Sequence, residues 1–131
     1  MTATTTQQST LQPRLIVADA GRAIAFYVEA FGAEEVSRYE GDDGKIVHAE
    51  LRFGQVSFTL KDEEPGTPDV GPSDLAGSPV ILELTVADAD AVGTAMEKAG
   101  ATVIYPIDDH PYGRVGRLRD PFGHVWMISQ N

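Results

Sequence analysis

Hydrophobic and polar residues alternate in six short segments of the chain, a pattern that predicts β-strands with one buried face. These segments are 11–17, 47–53, 56–60, 80–86, 114–119 and 124–129. Two further strands are expected near 33–39 and 102–104. The segment Tyr105–Gly113 contains two prolines and is expected to form a loop between strands.

Two other segments place apolar residues at helical spacing, and each follows an aspartate. Asp19 and Asp88 are suited to be N-caps, and Gly32 and Gly100 are suited to end the helices. The apolar stripes are Ile24, Tyr27, Val28 and Phe31 in the first helix, and Val92, Ala95, Met96 and Ala99 in the second.

The order of these elements repeats along the chain. Val17–Ala20 recurs as Val86–Ala89, and Phe53-Gly54 recurs as Phe122-Gly123, at the same offset of 69 residues. Collinear matches at several elements indicate an internal duplication. The sequence therefore predicts an α+β fold built from two βαβββ modules, each too small to bury a core alone.

The composition suggests where the modules begin and end. Residues 1–10 are almost entirely polar and are expected to be a disordered tail. The first module is assigned to 11–60 and the second to 80–131. Between them, 61–79 holds four prolines and three glycines and is interpreted as a linker.

Charge and cysteine content exclude several classes of function. The 131-residue chain has no cysteine, which excludes disulfides, a thiolate zinc site and a cysteine nucleophile. Twenty acidic residues against ten Lys and Arg give a net charge of −10, so nucleic acid and anionic membranes would be repelled. No apolar run is long enough for a membrane span and no signal peptide is recognisable, so we expect a cytoplasmic protein.

Two such modules, carrying "FYVEAFGAEEV", "GKIVHAELRFG" and "RDPFGHVWMIS", resemble the vicinal oxygen chelate superfamily of glyoxalases, bleomycin resistance proteins and extradiol dioxygenases. The likeness covers residues 11–129 and is closest to the PhnB-like branch. It implies that eight strands curl into a cup, with the helices outside and a ligand inside. It also implies a homodimer, in which modules pair across chains.

The alternation assigns one set of side chains to the helices and the other to the cavity. Leu15, Val17, Val47, Leu51, Leu82 and Trp126 are expected to face the helices. The set expected to face the cavity is Gln12, Arg14, Ile16, Ile46, His48, Glu50, Arg52, Val56, Phe58, Ile81, Glu83, Thr85, Val125 and Met127.

Metal-dependent members of the family place four ligands on the first and last strand of each module. The resemblance maps these positions onto Gln12, Phe58, Ile81 and Met127, which we expect to cluster. Only Gln12 could coordinate a divalent ion. The expectation is therefore no metal and no cofactor.

His48 and Glu50 lie two residues apart on one predicted strand, which is acceptable geometry for ligands or for an acid and a base. The alternative is that Glu50 forms an ion pair with an arginine while His48 packs in the pocket. Under the second reading these side chains orient a ligand and catalyse nothing.

The sequence thus favours a protein that sequesters a hydrophobic or aromatic antibiotic of the bleomycin, mitomycin or enediyne type. An enzyme of the lyase, isomerase or dioxygenase type acting through His48 and Glu50 stays as the alternative. The expected partners are a small molecule and a second copy of the chain. The residues expected to bind the ligand are Gln12, Arg14, His48, Glu50, Phe58, Ile81, Glu83, His110, Tyr112 and Met127.

Overall fold

A computed structural model describes residues 9–131, and over that range the chain forms eight strands and two helices. The tail predicted at 1–10 lies, except for its last two residues, outside the described residues. The elements in chain order are β1 (Arg14–Val17), α1 (Ala20–Phe31), β2 (Glu34–Glu40), β3 (Ile46–Phe53), β4 (Val56–Asp62), β5 (Ile81–Val86), α2 (Ala89–Lys98), β6 (Thr102–His110), β7 (Gly113–Arg119) and β8 (Val125–Gln130).

The strands form two four-stranded sheets of identical topology. The first sheet has the order β1-β4-β3-β2 and the second has the order β5-β8-β7-β6. In each, the strand before the helix pairs in parallel with the last strand of the module, and the other pairs are antiparallel. The predicted α+β fold of two βαβββ modules is confirmed.

Both helices begin at the predicted aspartates. The Asp19 carboxylate accepts from the Arg22 amide at 3.1 Å, and Asp88 accepts from the Ala91 amide at 3.0 Å. Each bond satisfies an amide that has no partner within the helix. Gly32 ends α1 with φ of 69°, a left-handed conformation that glycine adopts without strain.

The modules share one core because the two helices contact each other as well as their own sheets. Tyr27 on α1 is fully buried, and its ring packs against Phe58 of the first sheet and Trp126 of the second. Its hydroxyl donates to Asp120, a buried carboxylate in the turn between β7 and β8. A side chain of the first module is therefore bonded directly to the second.

Three local predictions are wrong, each for an identifiable reason. The expected loop is mostly strand: Tyr105–His110 belongs to β6, where bulges on either side of Tyr105 break the alternation. Ile46 is buried and Val47 exposed, the reverse of the prediction, because a bulge where β3 pairs with the end of β2 shifts the phase. The strand predicted to end at residue 60 continues to Asp62 as β4. The Asp62 carboxylate holds this end of the strand in place by accepting from the amides of Ala20 and Ile46.

Among the described residues, no helix is both long enough and apolar enough to span a membrane.

Candidate functional site

Each sheet has one face covered by a helix and one face that no helix covers, called here the helix-free face. Leu15, Val17 and Leu51 are buried on the covered face of the first sheet, as predicted. The intervening residues of the same strands lie on the helix-free face. The alternation therefore places Arg14, His48 and Glu50 together on the first sheet, and Ile81, Glu83 and Met127 on the second.

On the first sheet, Glu50 is the acceptor in a group of polar side chains. The Ser57 hydroxyl donates to Glu50 Oε2 at 2.9 Å, and Gln12 Nε2 lies 2.6 Å from Ser57 Oγ and 3.5 Å from Glu50 Oε2. Arg52 approaches the same oxygen at 3.4 Å. The hydrogen bond from Ser57, supported by Arg52 and Gln12 and opposed by partial desolvation, holds the pKa of Glu50 below its ordinary value.

A second polar group lies beside the first, around Arg14. The guanidinium donates to the carbonyl of Val47 at 2.8 Å, to Thr59 at 3.4 Å and to His48 Nδ1 at 2.9 Å. Since arginine carries no acceptor, His48 Nδ1 must be the accepting nitrogen, which leaves the ring proton on Nε2. His48 is thus held by the Arg14 guanidinium and packed against Tyr39.

The prediction that Phe58 faces the cavity is wrong. Its side chain is only 2% exposed, and its ring packs edge-on against Tyr27 and at a steep angle to Trp126 on the covered side of the sheet. Phe58 contributes only to the floor of a cleft between the two sheets. Ser57 and Thr59 lie on the helix-free face instead, because the apolar half of β4 is Val56, Phe58 and Leu60, and apolar side chains pack against the helix.

The second sheet carries a cavity of about 380 Å³ on its helix-free face. Its floor includes Met127 of β8 and Val115 of β7, and its walls come from β6 and the following turn. The rings of His110 and Tyr112 stack there, 5.2 Å apart and within 7° of parallel. Three of the predicted residues (His110, Tyr112 and Met127) therefore meet in one cavity.

Two further cavity residues, Arg117 and Tyr105, are absent from the predicted ligand-binding set. In the strand register, Arg117 lies opposite Met127 of β8 and opposite Tyr105 of β6. Its guanidinium carbon lies 5.4 Å from the centroid of the Tyr105 ring. The signal in the sequence is the strand "GRVGRLR", in which Arg117 shares a face with Val115 and alternates with the buried Leu118.

The ten predicted residues thus fall into separate groups. The side-chain hydrogen bonds of Gln12, Arg14, His48 and Glu50 to described residues all stay within the first module. His110, Tyr112 and Met127 line the cavity of the second module. Ile81 and Glu83 line the cleft between the sheets, and Phe58 is buried beneath it.

The residues at the mapped metal positions do not suit a divalent ion. Gln12 bonds to Ser57 on the helix-free face of the first sheet, whereas Phe58 lies on the covered face. Ile81 and Met127 lie on the second sheet, so the four residues do not form one donor set. Between residues 9 and 131, no group of three or more His, Asp or Glu side chains has the arrangement of a metal site. Three of the four positions offer carbon or thioether groups, which hard divalent ions do not select.

Comparison with known proteins agrees with this architecture. The model of the Glyoxalase/Bleomycin resistance protein/Dioxygenase superfamily matches residues 8–128, and the chain belongs to that superfamily. Within it, an uncharacterized protein of Mycobacterium bovis is 44% identical over 124 residues, which cover 92% of this chain and 82% of the relative.

Two solved structures illustrate the shared fold. The product of an Arabidopsis thaliana gene superposes with a TM-score of 0.75 at 27% identity, covering 94% of this chain and 99% of that one. A PhnB protein from Bacillus cereus superposes with a TM-score of 0.71 at 19% identity, covering 94% and 100%. At 19% identity the PhnB protein shows the fold alone.

Proposed function

We propose that this protein binds a planar aromatic or hydrophobic small molecule and holds it without transforming it. In that role it would sequester a natural-product antibiotic, such as a compound of the bleomycin, mitomycin or enediyne type. The observation that carries the proposal is the cavity on the helix-free face of the second sheet, with its stacked His110–Tyr112 pair.

The cavity has the size and chemistry of a small-molecule site. Its volume of about 380 Å³ lies within the range of roughly 300–1,000 Å³ found for ligand pockets. The Tyr112 side chain is 78% exposed, so one face of the stacked pair is open to a further ring. Met127 provides a thioether floor, a group that adapts to irregular apolar shapes.

Apolar contact alone gives moderate affinity at such a site. Burying about 200 Å² of a ligand ring at about 25 cal/mol per Å² gives roughly 5 kcal/mol, which corresponds to a Kd of a few hundred micromolar. Tighter binding requires polar groups that fix the ligand.

Binding is favoured over catalysis by the state of His48 and Glu50. A general base works best with a pKa near the working pH, whereas Ser57 and Arg52 hold the pKa of Glu50 below its ordinary value. The Nδ1 lone pair of His48 is already occupied by Arg14. Both side chains are therefore arranged to orient polar groups of a ligand, the second of the two roles considered from the sequence.

The proposal includes a homodimer. The polar side chains of the first sheet and the cavity of the second sheet belong to different modules, and each lies on a helix-free face. A second copy that places its first sheet over the cavity would bring Arg14, His48 and Glu50 to the ligand. It would also cover exposed apolar side chains such as Ile81 and Tyr105.

Isothermal titration combined with mass spectrometry tests the function. Bleomycin-, mitomycin- and enediyne-type compounds are titrated into the full chain, and the compound is then recovered. Binding with intact recovery supports sequestration, and a chemically altered product would instead establish an enzyme. Light scattering at micromolar concentration tests the dimer, which a monomeric mass would refute.

Two variants locate the site. Met127→Arg places a longer side chain across the cavity floor and should weaken binding at least about tenfold, since it fills the space that the ligand ring would occupy. Val28→Arg is the matched control, because Val28 is 40% exposed on α1, away from both helix-free faces. Equal affinities for the two variants would show that the ligand binds elsewhere.

A further inference from the structure

Arg117 occupies the middle of the helix-free face of the second sheet. It lies on β7, directly opposite Met127 on β8 and Tyr105 on β6. All three line the cavity, so the guanidinium is part of the wall that a ligand meets.

This guanidinium has no counter-ion among the described residues. Its Nε is buried and has no hydrogen-bond acceptor, and none of the ion pairs formed between residues 9 and 131 includes it. The other two arginines of β7 differ: Arg114 pairs with Asp90 and Asp109, and Arg119 donates to the carbonyls of Pro72 and Leu75. Although the chain has twenty acidic residues, this half-buried arginine forms no ion pair within residues 9–131.

Tyr105 keeps this guanidinium in place without neutralising it. A cation over a ring face is attracted by the quadrupole of the ring, and the distance of 5.4 Å falls within the effective range. The contact holds the planar group beside the cavity while its charge stays uncompensated.

We infer that the ligand is a planar aromatic carboxylate whose carboxylate binds to Arg117 while its ring stacks on the His110–Tyr112 pair. The inference rests on the proposed binding function and specifies its ligand class. A carboxylate matches the planar donor geometry of a guanidinium, and such charge-assisted bonds are about twice as strong as neutral ones. The ligand would thereby supply the counter-charge that the described part of the chain does not provide.

Asp108 fixes the orientation of the ligand. It lines the same cavity and pairs with Val115, two residues from Arg117 along β7. Its carboxylate accepts from the Asp109 amide at 2.8 Å and would repel a ligand anion. The ligand carboxylate therefore belongs at the Arg117 end, and a neutral or hydrogen-bond-donating group belongs at the Asp108 end.

The test compares 1-naphthoate with its neutral isostere 1-naphthamide, each titrated into the full chain by fluorescence. The wild-type protein should prefer naphthoate by about tenfold or more. Arg117→Met should raise the Kd for naphthoate about 10- to 100-fold and leave the Kd for naphthamide within about threefold. Arg117→Lys keeps the charge but loses the planar fork, so it should retain part of the preference and serves where Arg117→Met does not fold.

Arg114→Met is the matched control, since Arg114 lies on the same strand outside the cavity, and it should leave the preference unchanged. Equal affinity of the wild type for both probes, unaltered by Arg117→Met, would overturn the inference and leave the aromatic site standing. Binding of neither probe would overturn the inference together with the proposed cavity. A dimer that dissociates in Arg117→Met while the preference persists would identify a carboxylate of the second copy as the counter-ion, which also overturns it.

Discussion

Replacing Asp120 by asparagine tests whether the link between the modules is as important for stability as its hydrogen bonds indicate. Asp120 is 3% exposed, and its carboxylate accepts four donors. Oδ1 accepts from the amides of Phe122 at 2.9 Å and His124 at 3.0 Å, while Oδ2 accepts from the Tyr27 hydroxyl and from Trp126 Nε1 at 2.9 Å.

The expected loss of stability follows from the replacement of one carboxylate oxygen, an acceptor, by an NH2 group, which can only donate. Asparagine has the shape of aspartate but only one oxygen. The less costly orientation keeps that oxygen on the two backbone amides and turns the NH2 group toward Tyr27 and Trp126. The Tyr27 hydroxyl can rotate to accept from the NH2 group, but Trp126 Nε1 is a donor only and loses its acceptor. Each buried donor left without a partner costs about 1–3 kcal/mol. The Asp120→Asn variant should therefore lose about 1–3 kcal/mol of the free energy of unfolding, a substantial share of the roughly 5–15 kcal/mol typical of a domain.

Urea-induced unfolding followed by circular dichroism, at fixed protein concentration, measures this loss. Asp43→Asn is the matched control, because Asp43 is exposed and, within the described part of the chain, its side chain accepts only the Lys45 amide at 3.0 Å; it should change stability by less than about 0.5 kcal/mol. A cost for Asp120→Asn below about 1 kcal/mol, or equal to that of Asp43→Asn, would refute the reasoning that a buried donor left without an acceptor sets the penalty.

Two further predictions concern the same core and the cavity floor. Burial, and then the neighbouring Asp120 carboxylate, raise the pKa of Tyr27 well above its ordinary 10.0, so the unfolded chain releases this proton at a lower pH than the folded chain. Stability should therefore fall as pH rises above about 10, and unfolding measured between about pH 9 and 11 should show a shallower fall in Tyr27→Phe. Gly116→Ala should cost about 1–3 kcal/mol in thermal or urea unfolding, because the new Cβ would lie 2.7 Å from the Ile107 backbone. Gly77→Ala, where nothing lies within 4 Å, should be neutral, and an equal loss in both would contradict this explanation.

The fold could be predicted because its signals are local and occur twice. Asp19 and Asp88 mark helix starts through a bond to an amide three residues away, which depends on no distant part of the chain. Because the same order of elements occurs twice, the assignment of strands and helix in one module supports the same assignment in the other. The prediction failed at Ile46, Val47 and Tyr105–His110 because bulges are set by the partner strand, which the sequence of a single strand does not reveal.

The candidate site could be predicted only in part, since a site depends on which faces meet. Alternation within β3 correctly placed His48 and Glu50 on one face, and alternation within β4 would have placed Ser57 beside them. The same alternation predicts Phe58 for the cavity, because alternation shows which side chains of β4 share a face but not which face the helix covers, and the wrong choice reverses every side chain of the strand. Arg117 gave no signal alone, because what distinguishes it is the lack of a counter-ion among the described residues, a property of three strands together.

The bond from Tyr27 to Asp120 makes the two repeats depend on each other. The duplication aligns Asp120 with Leu51, and it aligns Tyr27 with Ala95, so neither member of the pair has a counterpart in the other repeat. A protein assembled from two first modules would bury phenol groups without their carboxylate, and one assembled from two second modules would bury the carboxylate without its phenol. The two modules are therefore no longer interchangeable. Loss or replacement of either one would leave a buried polar group of the other without its partner.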